Sequence, residues 1–69
     1  MAVNYNRLWK LLIDNNMNKT QLRKEAEIST NAISKLGKNE MVSLNTLEKI
    51  CKVLDCNIED IVQFVEVDE

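Results

Sequence analysis

Four polar side chains fall on one side of a short predicted helix near the middle of the chain. Ser29 is a suitable N-cap for this helix, and Ile33 and Leu36 form its apolar side. The side chains that point away from the core carry amide, hydroxyl and ammonium groups, which donate and accept hydrogen bonds. These four recognition residues are Thr30, Asn31, Ser34 and Lys35.

The residue types that usually catalyse reactions are sparse. The chain contains no His, and neither Cys51 nor Cys56 has a base partner, so nucleophilic and acid–base catalysis lack their usual groups. The two thiols lie five positions apart on or just beyond one predicted helix, which is poor geometry for a disulfide and no pattern for zinc. We therefore expect no enzymatic activity, no metal, no cofactor and no small-molecule ligand.

The elements that position these residues are expected to be helices within a single domain, residues 1–69. Pro is absent and Gly occurs once, while helix formers recur throughout, which favours an all-α fold. No apolar run approaches the roughly 18 residues that span a bilayer, and the first residues lack the features of a signal peptide. We expect a cytoplasmic protein without membrane contact.

Charge is distributed unevenly along the chain. Residues 1–38 hold seven Lys and Arg against three Asp and Glu, a net charge of +4, whereas residues 39–69 hold two against eight, a net charge of −6. The overall charge of −2 therefore conceals a basic first half. This asymmetry indicates one basic face, suited to an anionic partner, and an acidic far side.

Hydrophobic periodicity predicts the first two helices. The first should run from about residue 5 to 15, on the spacing of Leu8, Trp9, Leu12 and Ile13. The second should occupy roughly residues 19–26, because Asn18 and Gln21 have the spacing of a capping box.

The next two helices also carry start signals. After Ser29, the third helix should end at Leu36, with Gly37 as its left-handed C-cap residue. Ser43 should cap a fourth helix, whose apolar stripe is Leu44, Leu47, Ile50, Cys51 and Leu54.

The end of the chain is ambiguous. Asn57 is expected to open a fifth helix, with Glu59 and Asp60 in its first turn, where the helix dipole favours carboxylates. The tail from Phe64 to Val67 is rich in strand formers. It could instead run antiparallel to residues 3–5, within one subunit or between two.

The two short helices at about residues 19–36 form a helix-turn-helix arrangement. The stretch NKTQLRKEAEISTNAISKLGKNE, followed by SLNTLEKICKVLDCNIEDIV, resembles the Xre family of Cro-type and phage-repressor-type DNA-binding domains. The resemblance covers nearly the whole chain. It implies a five-helix, lambda-repressor-like fold with the helix-turn-helix at its centre.

The chain departs from this family pattern where helices pack tightly. The family usually has a small residue after the helix-two Leu and Gly in the turn, whereas this chain has Arg23 and Glu27. A non-Gly residue in a left-handed backbone costs roughly 1 kcal/mol, so we expect strain or an altered turn at Glu27. The family also often joins helices one and three through a buried Arg and Glu, but the matching positions are Leu12 and Gly37.

The resemblance implies that the third helix enters the major groove of double-stranded DNA. The base-reading residues would be Thr30, Asn31, Ser34 and Lys35, whose groups suit base edges. The phosphate contacts would be Asn18, Lys19, Gln21, Ser29, Lys38 and Asn39. The expected function is transcriptional regulation, as a repressor. A homodimer would bind a pseudo-palindromic operator with half-sites about 34 Å apart.

Three alternatives accompany this hypothesis. The fold could instead serve as a protein-interaction module, such as an antitoxin-like or antirepressor partner, although the position of the positive charge favours DNA. Tyr5 and Trp9 could suggest a stacking site, but their helical spacing beside Leu8 is typical of packing. Arg23 and Lys24 could either attract DNA or lie over apolar surface.

Overall fold

The computed structural model describes residues 2–66, which fold into four α-helices framed by two short strands. In chain order the elements are β1 (Ala2–Asn4), α1 (Asn6–Asp14), α2 (Lys19–Ala26), α3 (Thr30–Gly37), α4 (Leu44–Leu54), one 3-10 turn (Ile58–Asp60) and β2 (Gln63–Val65). The mostly helical architecture and the bounds of α2 agree with the sequence analysis. Helix α1 is shorter than predicted by one residue at each end.

The predicted fifth α-helix is wrong, because the segment after Asn57 forms a single 3-10 turn. The Asn57 N–H donates to the Asp60 carboxylate at 3.0 Å, and the Ile61 N–H donates to the Ile58 carbonyl at 3.1 Å. The chain then extends, since the strand-forming residues that follow pair with β1 instead of continuing a helix. The part of the chain that the structure describes therefore has four α-helices.

The two strands confirm the predicted pairing of the termini and locate it within one chain. They are antiparallel, and the paired residues are Ala2↔Val65, Val3↔Phe64 and Asn4↔Gln63. The prediction extended to Val67, which lies outside the described residues. Val3 is buried, so the sheet ties both ends of the described chain to the core.

The core collects one side of each α-helix. Its most buried side chains, each at most 1% exposed, are Tyr5, Leu8, Leu22, Leu36, Ile50 and Ile61. Two positions predicted on apolar faces are exposed instead, Ile13 at 73% and Leu44 at 71%. Leu8 and Leu12, four residues apart, define the inner face of α1, and Ile13 lies about 100° further round the helix. Leu44 begins α4 and lines an open groove.

Every α-helix is followed closely by a non-Gly residue with a left-handed backbone. The φ angles are 54° at Asn16, 55° at Glu27, 57° at Asn39 and 51° at Asp55. Asn and Asp adopt this conformation more readily than other residues with a side chain, because their short polar groups form local hydrogen bonds. Glu27 is therefore the strained position, in agreement with the strain expected there.

Gly37 is not the left-handed cap of α3, so that prediction is wrong. It is the last helical residue and does not have a positive φ. The Asn39 N–H donates to the Leu36 carbonyl at 3.2 Å, and the Glu40 N–H donates to the Lys35 carbonyl at 2.9 Å. These two bonds form a Schellman motif centred on Asn39. The helix runs past Gly37 because Asn39 can supply the left-handed turn.

Candidate nucleic-acid interface

The start of α2 is fixed by the predicted capping box. The Gln21 N–H donates to Asn18 Oδ1 at 2.8 Å, and the Asn18 N–H donates to Gln21 Oε1 at 3.0 Å. These reciprocal bonds satisfy two donors that a helix start would otherwise leave free. The first turn of α2 is therefore rigid although both side chains are exposed.

The turn between α2 and α3 is short and has few degrees of freedom. Glu27 reverses the chain, and the Ile28 N–H donates to the Arg23 carbonyl at 3.1 Å. Ile28 is buried, which anchors the turn in the core. Ser29 then caps α3, because its Oγ accepts a 3.1 Å hydrogen bond from the Ala32 N–H. The turn thus holds α3 at a defined angle to α2.

Helix α3 separates a buried side from a polar, solvent-facing side. Leu36 is fully buried, while Ala32 and Ile33 are half-buried and pack against the core. Ile33 is less enclosed than the sequence analysis expected. All four recognition residues are exposed: Thr30, Asn31, Ser34 and Lys35. None of them is covered by the described remainder of the chain.

The six predicted phosphate contacts are also exposed, but they differ in how free their side chains are. Asn18, Gln21 and Ser29 use side-chain oxygens to cap helices. The ammonium of Lys19 lies 4.5 Å from the centre of the Trp9 ring. The remaining two follow the end of α3 and are Lys38 and Asn39.

A shallow groove joins α3 to the start of α4. On α3 and its cap it is lined by Ser29, Asn31, Ala32 and Lys35, and on the other side by Val42, Ser43 and Thr46. The last three were not predicted as site residues. The N-cap role of Ser43 was predicted correctly, since its Oγ accepts from the Thr46 N–H at 3.2 Å. The sequence analysis did not place this cap beside α3, because the periodicity of one helix does not encode which helix lies next to it.

The charges near α2 and α3 are not neutralised within the described chain. In residues 2–66 the ion pair found is between Lys52 and Glu48 on α4, at 3.8 Å and largely exposed. Lys35 and Lys38 therefore have no carboxylate within salt-bridge distance in that range. Their charge is available to an external anion.

The two aromatic residues of the first helical segment pack instead of presenting a stacking platform. Tyr5 is 1% exposed, and its hydroxyl donates to the Glu40 carbonyl. Trp9 is half-buried and packs against the core, with Lys19 over its ring. This agrees with the packing interpretation drawn from their spacing.

The structure assigns different environments to several side chains that the sequence left open. Arg23 is half-buried and Lys24 is exposed, so the protein covers more of Arg23 than of Lys24. Leu12, at the position of the family's buried Arg, is itself buried.

The two thiols are both half-buried and free. Burial raises the pKa of both, and for Cys56, where the neighbouring Cys51 adds to the effect, the pKa reaches about 11. Both are therefore protonated near neutral pH. No group of three His, Cys, Asp or Glu in residues 2–66 is arranged to hold a metal ion.

A capped short helix, a tight turn and a second short helix with a polar outer face define a helix-turn-helix DNA-binding domain. The family model of the Cro/C1-type helix-turn-helix DNA-binding domain matches residues 7–66. The chain belongs to this family, which confirms the resemblance noted in the sequence. No helix in residues 2–66 is both long and apolar enough to cross a membrane.

The chain is also similar to a solved structure, the crystal structure of the transcriptional regulator VanUg, Form II. The two share 50% sequence identity, with a TM-score of 0.87. The similarity covers 90% of this chain and 83% of that one. No curated protein matches the chain.

Proposed function

We propose that this protein regulates transcription as a repressor, by inserting α3 into the major groove of an operator. Residues 1–69 would act as one domain in the cytoplasm, without a catalytic role. The proposal is supported by membership of a DNA-binding family and by similarity to a transcriptional regulator. A repressor needs no more than this, since occupying an operator can block transcription.

The observation that carries the proposal is the asymmetry of α3. Leu36 anchors one side in the core, while the four recognition residues point to solvent. A helix anchored in this way presents its polar side as a rigid unit to base edges. We assign most of the base reading to Asn31, which can pair with adenine, and to Lys35, which can donate to guanine.

Phosphate contacts would flank this helix. Lys38 and Asn39 follow its C-terminus, and Ser29 lies at its N-terminus. Asn18 and Gln21 would contribute through the rigid start of α2, because their side-chain oxygens are engaged in the capping box. Lys19, the remaining predicted phosphate contact, lies at the same helix start, but its ammonium lies over the Trp9 ring, 4.5 Å from the ring centre. The shallow groove adds Ser43 and Thr46, which lie beside Asn31 and Lys35 and could contact the same strand of the DNA.

The experiment is selection of a preferred sequence from random duplexes, followed by measurement of Kd for that sequence and for a random one. We expect Asn31→Ala and Lys35→Ala each to weaken binding to the selected sequence by about 1–3 kcal/mol, the range for one specific pairing between a side chain and a base. Binding to the random duplex should change much less for Asn31→Ala. Circular dichroism checks that each variant is folded.

Lys49→Ala is the matched control, because Lys49 is an exposed lysine of α4 in the acidic half of the chain. It removes the same charge as Lys35→Ala and should leave Kd for the selected sequence nearly unchanged. If Asn31→Ala and Lys35→Ala were folded and bound as tightly as the wild type, the protein-interaction alternative would replace this proposal.

We further infer that the operator-bound form is a homodimer assembled through an apolar groove. This groove, of about 470 Å³, lies among β2, the 3-10 turn and the start of α4. It is lined by four of the five large apolar side chains that are exposed in residues 2–66: Met41, Leu44, Ile58 and Phe64. Clustered exposed apolar groups of this kind mark association surfaces. Phe64 belongs to the tail for which the sequence analysis left open a pairing within one subunit or between two.

A second copy suits this groove better than an unrelated protein for two reasons. Val42 lines both the apolar groove and the shallow groove beside α3, so a two-fold axis that passes through the apolar groove along the direction in which α3 faces would leave both α3 helices on one side of the dimer. The described chain measures 37 × 23 × 18 Å, so neighbouring copies can be separated by the roughly 34 Å of one DNA turn.

Sedimentation equilibrium tests the dimer. Leu44→Glu should be monomeric, because it places a charge in the groove at a side chain that is 71% exposed and not needed for the core. Ile13→Glu is the matched control, since Ile13 is equally exposed, at 73%, but lies outside the groove. A monomeric wild type, or a dimeric Leu44→Glu variant, would contradict this interface.

A further inference from the structure

Lys19 lies where α1, α2 and α3 meet, a position that its predicted role as a phosphate contact does not explain. It is the first residue of α2, and its Nζ lies 4.5 Å from the centre of the Trp9 ring on α1. The same Nζ would lie 3.7 Å from a Cβ placed on Gly37, the last residue of α3. One ammonium group therefore lies against α1 and the end of α3 at once.

Each of these contacts favours a positive charge. The face of an indole ring attracts a cation placed within about 6 Å of its centre. The last turn of a helix carries partial negative charge, so an ammonium beside Gly37 is favourable there as well. Within residues 2–66 Lys19 forms no ion pair that would compete for it.

In residues 2–66 no ion pair joins α1 to α3. Leu12 on α1 and Gly37 at the end of α3 carry no charge, so neither can take part in an ion pair. Gly37 has no side chain to displace the Lys19 ammonium, and an added Cβ would contact it. Lys19 thus provides a polar link between α1 and the end of α3.

We propose that Lys19 is a positioning residue, which fixes the angle of α3 by linking Trp9 to the last turn of that helix. This inference rests on the proposed function for its effect on DNA, but the link itself is a property of the free protein. Base contacts need a defined helix angle, whereas phosphate contacts tolerate more variation. Breaking the link should therefore reduce sequence discrimination more than general DNA affinity.

Three variants test the proposal on the full chain. Lys19→Met removes the charge and keeps the length of the side chain, Lys19→Arg keeps a cation that can lie on the ring, and Lys24→Met is the control. Lys24 is an exposed lysine of the same helix, and the cation–π contact found with Trp9 in residues 2–66 is made by Lys19. The single Trp makes fluorescence specific to the proposed link.

Without DNA, we expect Lys19→Met to shift the emission of Trp9 and to increase its quenching by acrylamide. The unfolding equilibrium constant in urea should rise about two- to fivefold, the range of an exposed cation–π contact. Lys19→Arg should restore both properties, and Lys24→Met should change neither. Unchanged Trp9 emission and quenching in folded Lys19→Met would overturn the link.

With DNA, the ratio of Kd values for random and selected duplexes should fall severalfold in Lys19→Met but not in Lys24→Met. The dependence of log Kd on log salt should be the same for the two variants. In the opposite outcome, the slope would decrease by about 0.9 in Lys19→Met alone, and the affinity for both duplexes would fall equally. Lys19 would then be a phosphate ligand, and the positioning role would be overturned. If the wild type bound no duplex, the proposed function would fail. The fluorescence and urea results would still show whether Lys19 links Trp9 to the end of α3.

Discussion

The Tyr5 hydroxyl donates a 2.6 Å hydrogen bond to the backbone carbonyl of Glu40, across 35 positions of sequence. Tyr5 precedes α1, and Glu40 follows the left-handed turn that ends α3. Tyr5 is 1% exposed whereas Glu40 is exposed, so the bond is partly buried. It fastens the end of α3 to the residue that precedes α1.

Removing this hydroxyl should destabilise the fold without changing its shape. We expect Tyr5→Phe to lower the free energy of unfolding by about 1 kcal/mol, because the hydrogen bond to the Glu40 carbonyl is lost. Tyr5→Leu, which also removes the ring, should lower it further. Urea unfolding measures both, and a Tyr5→Phe variant as stable as the wild type would show that the bond contributes nothing.

Relieving the strained turn should have the opposite effect. Glu27 holds a φ of 55°, which Gly adopts without a steric penalty. We expect Glu27→Gly to raise the free energy of unfolding by about 1 kcal/mol. Lys24→Gly, in the helix α2 that precedes this turn, should lower the free energy of unfolding by about the same amount. Destabilisation by Glu27→Gly in thermal unfolding would mean that the Glu27 side chain has a compensating role.

The end of α3 offers a test of which residue forms its left-handed cap. Gly37→Ala should raise the free energy of unfolding by about 0.5–1 kcal/mol, because the new Cβ finds only an ordinary contact 3.7 Å from Lys19 Nζ. Asn39→Ala should lower it by about 1 kcal/mol, because Ala is unfavourable at a φ of 57°. Thermal unfolding of both variants measures their stabilities relative to the wild type. A destabilised Gly37→Ala with an unchanged or stabilised Asn39→Ala would place the cap at Gly37.

The half-buried thiol of Cys56 makes stability depend on alkaline pH. Burial, with a smaller effect of Cys51, raises its pKa to about 11, above the value of about 8.5 in an unfolded chain. The folded state thus holds this proton more tightly, so its contribution to stability is complete below pH about 8.5 and is lost as the pH rises through about 11. Burial also raises the pKa of Tyr5, which acts in the same direction.

Urea unfolding at several pH values between 8 and 11 measures this dependence. Cys56→Ala should lose stability less steeply over that range than the wild type, because one of the groups with a raised pKa is gone. The Cys56 thiol should also react slowly with an alkylating reagent near pH 7, since little thiolate is present. Equal slopes in the two proteins would contradict the pKa assigned to Cys56.

The parts of the fold that the sequence predicted are those encoded locally. The capping box of Asn18 and Gln21 and the cap at Ser29 depend on residues three positions apart, and each appears as predicted. The exposed side of α3 follows from the period of its buried residues. The pairing of the two termini was also predicted, because strand-forming residues occur at both ends of the chain.

The errors arose where competition between distant groups decides the outcome. The fifth helix does not form because residues 63–65 pair with β1, a partner about 60 positions away in sequence. Gly37 was chosen as a cap because Gly is the usual residue there, but Asn39 supplies the turn. The link from Lys19 to Trp9 and the position of Ser43 beside α3 depend on packing between helices, which no single segment encodes.

Amide chemical-shift mapping tests most directly whether the polar side of α3 contacts DNA. A selected operator duplex would be titrated into ¹⁵N-labelled protein while the shifts of all backbone amides are followed. We predict the largest changes at α3 and at the start of α2, centred on Asn31 and Lys35, with small changes at Lys49 and Lys52. Changes confined to α4 and the apolar groove, with α3 unaffected, would contradict that contact.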